Sequence, residues 1–139
     1  MKGLPTLIRA QRWRVDEMRR EVVRFEGLLA ERRDDAIRFE AEVLDEQRRA
    51  STDEVARYAY AGGYTAGVIH RRAAFAAAIS EAEAELAGRR ALLSELFAEL
   101  KRYEIVLERF EKREAEEAAR REAIALDELS LEMHRRGQS

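Results

Sequence analysis

A heptad pattern of apolar residues runs through this chain twice and strongly limits how the chain can fold. Apolar residues spaced alternately three and four apart form one narrow stripe on an α-helix, the stripe that packs against another helix. Two such seams flank Gly62-Gly63 and predict an all-α fold, a long antiparallel two-helix coiled-coil hairpin with a short helix near the bend. The first seam is Ile8, Gln11, Val15, Met18, Val22, Phe25, Leu29, Arg32, Ala36, Phe39 and Val43, and the second is Phe75, Ile79, Ala82, Leu86, Arg89, Leu93, Leu96, Leu100, Tyr103, Leu107 and Phe110.

Capping and breaking residues set the predicted helix boundaries. Pro5 suits the first turn of a helix, because its missing N–H would be unpaired there anyway. Ser51 followed by Glu54 has the spacing of a capping box, and Gly137 follows two arginines as a terminating glycine does. We therefore expect one domain over residues 1–139, with helix one over about 5–49, a short helix over about 52–61 and helix two over about 64–135.

The position of the reversal predicts which residues face each other. A reversal centred near Gly63 places Val22 opposite residues 101–103 and Phe39 opposite Leu86. Residues beyond about 120–125 then have no partner, and the second seam becomes polar after Phe110. The C-terminal part is therefore predicted to be a single, polar, protruding helix.

A second apolar stripe lies on helix one, one place after the main seam. Two interpretations are open. In the first, the short helix or the helix-two residues Phe97 and Val106 pack over the stripe. In the second, the stripe is a groove for another protein. Its members recur every seven residues and are Val23, Ala30, Ile37 and Leu44.

Composition excludes several classes of function. Charged residues make up 39% of the chain, yet the net charge is only −2, so no unbalanced basic face for nucleic acid is expected. The chain has no cysteine, which excludes disulfides and thiolate metal sites. It lacks a signal-like or membrane-spanning apolar run, so we expect a cytoplasmic protein without direct membrane insertion.

The sequence offers no constellation of catalytic residues. The two histidines, His70 and His134, are far apart and are predicted on the same long helix, so they cannot converge. The many carboxylates suit solvent-side pairs with arginine at helical spacing. We therefore expect a protein that is not an enzyme and that uses no cofactor or metal.

Aromatic and arginine residues concentrate around the predicted bend. Tyrosine and arginine are enriched in binding hot spots, so this region is a candidate partner surface. In the alternative interpretation, the tyrosines only pack the bend. The candidate residues are Tyr58, Tyr60, Tyr64, Arg71, Arg72 and Phe75.

Trp13, the single tryptophan, does not belong to the main seam. The heptad that starts at Ile8 places Trp13 on the opposite face of the helix. Either the register slips near the N-terminus and Trp13 packs inward, or Trp13 is an anchor for a partner.

Several segments resemble one family when taken in order. They are residues 7–17 (LIRAQRWRVDE), Asp53 followed by Tyr58-Ala59-Tyr60, Arg71-Arg72 with Ile79, residues 99–104 (ELKRYE), residues 111–114 (EKRE) and residues 126–128 (LDE). Their order, spacing and total length are similar to those of FliJ-type flagellar export proteins of alphaproteobacteria. The resemblance spans nearly the whole chain.

The resemblance implies an antiparallel stalk without activity of its own, monomeric in isolation and peripheral at a membrane-embedded export apparatus. Its implied partners are the hexameric flagellar export ATPase, an FlhA-type export gate protein and export chaperones. The bend would face the gate, and the end with both termini would enter the ATPase ring. Alternatives are the equivalent stalk of a virulence type III secretion system and a structural coiled coil that dimerises through its seams. The expected ATPase-facing residues are Arg9, Arg12, Trp13, Arg14, Glu114, Glu117 and Arg121.

Overall fold

Three helices account for nearly all of the chain that the structure, a computed structural model, describes, namely residues 2–59 and 64–138. Helix α1 spans Leu4–Thr52, α2 spans Glu54–Ala59 and α3 spans Thr65–Gln138. Both long helices extend beyond their predicted C-terminal ends, and α2 begins two residues later than predicted. Gly62 and Gly63, the predicted break, lie outside the described residues.

The chain divides into two compact units, which the two long helices build together. One unit is Arg14–Glu95, and the other combines Met1–Trp13 with Leu96–Ser139. The expectation of a single domain stays a prediction.

Asp53, not Ser51, caps the helix after the first break. The Asp53 carboxylate accepts a hydrogen bond from the backbone N–H of Val55 at 3.1 Å. The Ser51 hydroxyl instead donates to the carbonyl of Arg48 at 2.7 Å, inside the last turn of α1. The predicted capping box is therefore wrong. Ser51 is still inside α1, and Asp53, whose carboxylate can cap a helix as well as a serine hydroxyl can, occupies the cap position of α2.

Within the unit Arg14–Glu95, α1 and α3 pack side by side in opposite directions. Residues near the start of this part of α1 pair with Arg89 and Arg90, whereas Glu40, farther along α1, pairs with Arg72 earlier on α3. This order confirms the antiparallel helical hairpin. The ion pairs between the two helices join Glu21 with Arg89 at 3.6 Å, Glu26 with Arg90 at 3.2 Å, Arg33 with Glu83 at 3.3 Å, and Glu40 with Arg72 at 2.7 Å.

Two apolar clusters hold this unit together. The first contains Val22, Leu29, Ala82 and Leu86, with Phe25, Ile79 and Leu93 packed against it. The second, nearer the bend, contains Phe39, Val43 and Val68, with Tyr64 and Phe75 packed against it. Burying a large apolar side chain contributes about 1.5–3 kcal/mol. These clusters are therefore the main source of stability in this unit.

The predicted seams match the buried side chains. Every residue of both seams, from Ile8 to Val43 and from Phe75 to Phe110, is buried or half-buried. Two further residues, Ala50 and Val68, are also buried. Each lies seven residues from a seam member, so the heptad pattern continues one repeat closer to the bend than predicted.

The predicted register between the helices is wrong. Phe39 lies against Phe75, with 5.1 Å between ring centroids, rather than opposite Leu86. Val22 lies in the cluster with Leu86 rather than opposite residues 101–103. The physical reason is the length of α1. Because α1 ends at Thr52 and α3 begins at Thr65, the reversal is centred between residues 58 and 59, not near Gly63.

In the other unit, the first turns of α1 contribute buried Ile8 and Gln11, and α3 contributes buried Leu100. Gln11 is the buried polar residue of the seam. Its Nε2 donates to the backbone carbonyl of Leu96 at 3.0 Å and to Oε2 of Glu99 at 3.3 Å. Tyr103 donates its hydroxyl to the other carboxylate oxygen of Glu99. A polar group at a seam position favours one register at some cost in stability.

The last part of α3 is exposed. All side chains of residues 111–137 are solvent-exposed, in keeping with the predicted single polar helix. The exposure begins directly after Phe110, about ten residues earlier than the predicted register allowed.

The buried seam should dominate the free energy of unfolding. Leu86→Ala removes a side chain that is buried with Val22 and Leu29, so we expect a loss of about 2–5 kcal/mol. Leu129→Ala makes the same change at an exposed position of the same helix and should change stability by no more than about 0.5 kcal/mol. Urea unfolding followed by circular dichroism measures both, and equal losses would contradict the seam.

Candidate partner-binding surfaces

The aromatic residues predicted for the bend divide into packed and exposed ones. Tyr64 and Phe75 pack against the cluster of Phe39, Val43 and Val68. The Phe39 and Phe75 rings are tilted by 34°, an arrangement typical of favourable aromatic pairs. For these two residues the structure agrees with the interpretation that they pack the bend.

The two arginines of the predicted surface contact α1. The guanidinium carbon of Arg71 lies 4.5 Å from the centroid of the Phe39 ring, a cation–π geometry. Arg72 donates from Nε and from one terminal nitrogen to the two carboxylate oxygens of Glu40, at 2.7 and 2.9 Å. Both contacts help to set the register, so neither arginine is available to a partner without loss of a contact between the helices.

The short helix α2 carries exposed residues. Tyr58 is 87% exposed and Val55 is 78% exposed. Tyr60 lies outside the described residues. Of the predicted bend tyrosines that the structure describes, Tyr58 is the one whose side chain faces solvent almost fully. As binding residues, all of them remain predictions.

Trp13 is 65% exposed, while Ile8, Gln11 and Val15 are buried on the other side of α1. The interpretation in which the register slips and Trp13 packs inward is therefore wrong. Its neighbour Arg12 forms a loose ion pair with Glu104 at 3.8 Å. Arg9 and Arg14 are exposed as well.

The predicted charged residues of the C-terminal part, Glu114, Glu117 and Arg121, are exposed along the same stretch of α3. Apolar side chains that are not among the predicted site residues follow them along α3. These are also exposed, and the signal that could have identified them is their density, since five large apolar residues lie within ten positions: Ile124, Leu126, Leu129, Leu131 and Met133.

The second stripe of α1 is uncovered in the part of the chain that the structure describes. Val23 and Ile37 are each 66% exposed, and Leu44 is 47% exposed. The interpretation in which α2 or α3 packs over this stripe is therefore wrong for the described residues. An apolar row of this kind on a helix is typical of an interaction surface.

The described residues contain no group of three or more His, Cys, Asp or Glu side chains placed to hold a metal ion. None of the described helices has the length and apolar character needed to cross a membrane.

Two known relatives of the chain are flagellar proteins of the same name. The Flagellar FliJ protein of Caulobacter vibrioides strain NA1000 / CB15N is 38% identical over 93 residues, which are 67% of this chain and 66% of the relative. The Flagellar FliJ protein of strain ATCC 19089 / CIP 103742 / CB 15 matches to the same extent. The chain belongs to the FliJ family of flagellar proteins. The resemblance inferred from the ordered segments is thereby confirmed.

The match spans just under two thirds of the length of these FliJ relatives. No family model matches the chain, and no solved structure is significantly similar to it. The assignment to the FliJ family thus rests on the sequence relatives, and the helical hairpin agrees with the fold that the resemblance implied.

The contact between Glu40 and Arg72 should be visible in a titration. The hydrogen bonds from Arg72, aided by its charge and opposed by slight burial, hold the pKa of Glu40 below its ordinary value. A lowered pKa means that the pair stabilises the fold at neutral pH and that this contribution is lost as pH falls through the pKa of folded Glu40. In an NMR titration, Arg72→Gln should raise the pKa of Glu40, whereas Arg90→Gln should leave it unchanged. An unchanged Glu40 pKa in Arg72→Gln would contradict the pair.

Proposed function

We propose that the chain is a non-enzymatic stalk and assembly protein of the flagellar type III protein export apparatus. It binds the hexameric export ATPase, an FlhA-type export gate protein and export chaperones. It acts in the cytoplasm, peripherally at the membrane-embedded apparatus, without entering the membrane. Membership in a family of flagellar proteins supports the flagellar system over its virulence counterpart.

The observation that carries this proposal is the exposed stretch of α3 over residues 111–137. At ~1.5 Å per residue it is roughly 40 Å long. A helix of this length without a packed partner loses most of the burial that stabilises helices in proteins. A partner that surrounds it supplies that burial, as the central channel of a ring would.

The composition of this stretch suits such a channel. Acidic and basic residues are interleaved over residues 111–122, which include Glu114, Glu117 and Arg121, and the large apolar residues follow in the second half of the stretch. Charge pairing across an interface gives register and speed of association more than raw affinity. The exposed Trp13 then serves as the desolvated anchor, because tryptophan is the residue most enriched in hot spots.

Binding to an assembled ring explains how a protein without catalytic groups would act on an enzyme. A ligand that binds only the hexamer stabilises the hexamer by mass action. If the ATPase is active as a hexamer, the stalk then raises its activity. No proton transfer or bound cofactor is required of this chain.

The gate-facing role falls to the bend. Tyr58 and Val55 on α2 are exposed and are not needed for the packing of α1 against α3. The other residues near the bend support this region by contacts that hold the two long helices together. Tyr64 and Phe75 pack against the cluster near the bend, and Arg71 and Arg72 contact α1. Export chaperones are a further class of partner that the family resemblance implies.

Stimulation of the export ATPase tests the proposal directly. A chain that ends at Phe110 keeps the whole seam but loses the exposed stretch, so it should no longer stimulate the ATPase. Trp13→Ala should weaken binding by about 2 kcal/mol, as expected for a hot spot. Added salt should slow association, because the charged residues are exposed and screened.

The matched control is Tyr58→Ala, which removes an exposed aromatic residue from α2 and should leave stimulation unchanged. Circular dichroism must show that the shortened chain is still helical. Full stimulation by the chain that ends at Phe110 would refute this assignment of the ATPase-binding part.

A further inference from the structure

Helix α1 carries a second heptad seam that is exposed along its whole length. Four residues after Val23, Ala30 and Ile37 lie Gly27, Asp34 and Ala41, which are small or polar. Together they form a row with alternating spacing of three and four, which we name the outer seam. Its members, all exposed, are Val23, Gly27, Ala30, Asp34, Ile37, Ala41 and Leu44.

The charges along one border of the outer seam alternate in sign. Arg24, Glu31, Arg38 and Asp45 follow one another at intervals of seven residues. Three of them have partners only one turn away on α1, in exposed pairs that contribute little. The other border is already occupied, since Glu26, Arg33 and Glu40 pair with arginines and a glutamate of α3.

This alternation is self-complementary in one direction only. If two copies of α1 paired in parallel and in register, this border would face the opposite border of the second copy. Glu31 would then lie near Glu26, Arg38 near Arg33 and Asp45 near Glu40, and each of these pairs is of like charge. If they pair antiparallel, Arg24 faces Asp45 of the second copy, and Glu31 faces Arg38 of the second copy. Twofold symmetry repeats each contact, which gives four pairs of opposite charge.

Shape agrees with the same alignment. With these charges paired, Leu44 of one copy meets Gly27 of the other, and Ala30 meets Ala41. The surface of α1 at Gly27 is a shallow concavity bordered by Arg24, Phe25, Leu28 and Glu31. A Cβ placed on Gly27 would meet no atom within 4 Å, so the space is open to a side chain from outside.

We propose that the outer seam pairs antiparallel with the outer seam of a second copy of this chain, forming a weak homodimer. The main seam stays within each chain, so the monomer is the species at low concentration. The pairing is weak because Asp34 places a charge in the interior of the interface, and a polar residue there lowers stability while fixing the alignment. This inference goes beyond the proposed role at the export apparatus and does not depend on it.

Charge reversal tests both the interface and its direction. Sedimentation equilibrium from micromolar to millimolar protein should show a monomer–dimer equilibrium. Glu31→Arg alone, or Arg38→Glu alone, places like charges together twice by symmetry and should raise the dimer Kd about tenfold. The double variant restores opposite charges and should return the Kd to within about threefold of the original.

Glu31 and Arg38 are two helical turns apart on one chain, so rescue in the double variant must come from contact between copies. The control is the equivalent set of Glu114→Arg, Arg121→Glu and their combination, also seven residues apart, on the exposed stretch of α3, which should leave the Kd unchanged. Ile37→Asp should abolish the dimer, whereas Leu129→Asp, at a similarly exposed residue of α3, should not.

Three results would overturn the proposal. A monomer at every concentration would mean that the outer seam takes another partner or none. A dimer whose Kd is unchanged by either single charge reversal would form through another surface, for example through main seams that open and pair between chains. Single variants that weaken the dimer without rescue in the double variant would exclude the antiparallel alignment.

Discussion

Burial of a narrow apolar stripe between α1 and α3 is the interaction on which the rest of the structure depends. A helix with one apolar stripe has a single way to remove it from water, which is to pack against a matching stripe. In this chain each long helix supplies the other with that partner. The stability of this seam comes from Val22, Leu29, Leu86 and their neighbours. The ion pairs and the ring contacts near the bend help to fix which residues of the two helices face each other.

The division of the chain into seam and exposed helix also separates stability from binding. Residues that stabilise the fold are buried between α1 and α3, and residues proposed to bind partners project from one helix at a time. Trp13, Tyr58 and the outer seam can therefore change with little effect on folding. The exposed stretch after Phe110 is the clearest example, because all side chains of residues 111–137 are exposed and none is buried between α1 and α3.

The sequence predicts the helices and their buried faces well, because periodicity reports directly on which residues share a face. Register is different. Seam positions recur every three or four residues, so sliding one helix along the other by eleven residues still places apolar residues against each other. Phe39 shows this, because it lies against Phe75 and was expected opposite Leu86, eleven residues farther along. The register depends on the length of the reversal, and the predicted cap of α2 at Ser51 places the end of α1 too early, because Ser51 still belongs to α1 and Asp53 caps α2. For the same reason composition alone did not reveal that Arg71 and Arg72 contact α1, since those contacts follow from the register.

The central claim is that α1 and α3 of the same chain pair with Arg33 beside Glu83. The chain has no cysteine, so two introduced cysteines report without interference. In dilute protein, a short bismaleimide should cross-link Arg33→Cys with Glu83→Cys within one chain, giving a product of monomer mass on a denaturing gel. Arg33→Cys with Ala91→Cys, near the pairing expected from a reversal at Gly63, should cross-link far less. A product of dimer mass from the first pair, or equal cross-linking of the second, would contradict the account.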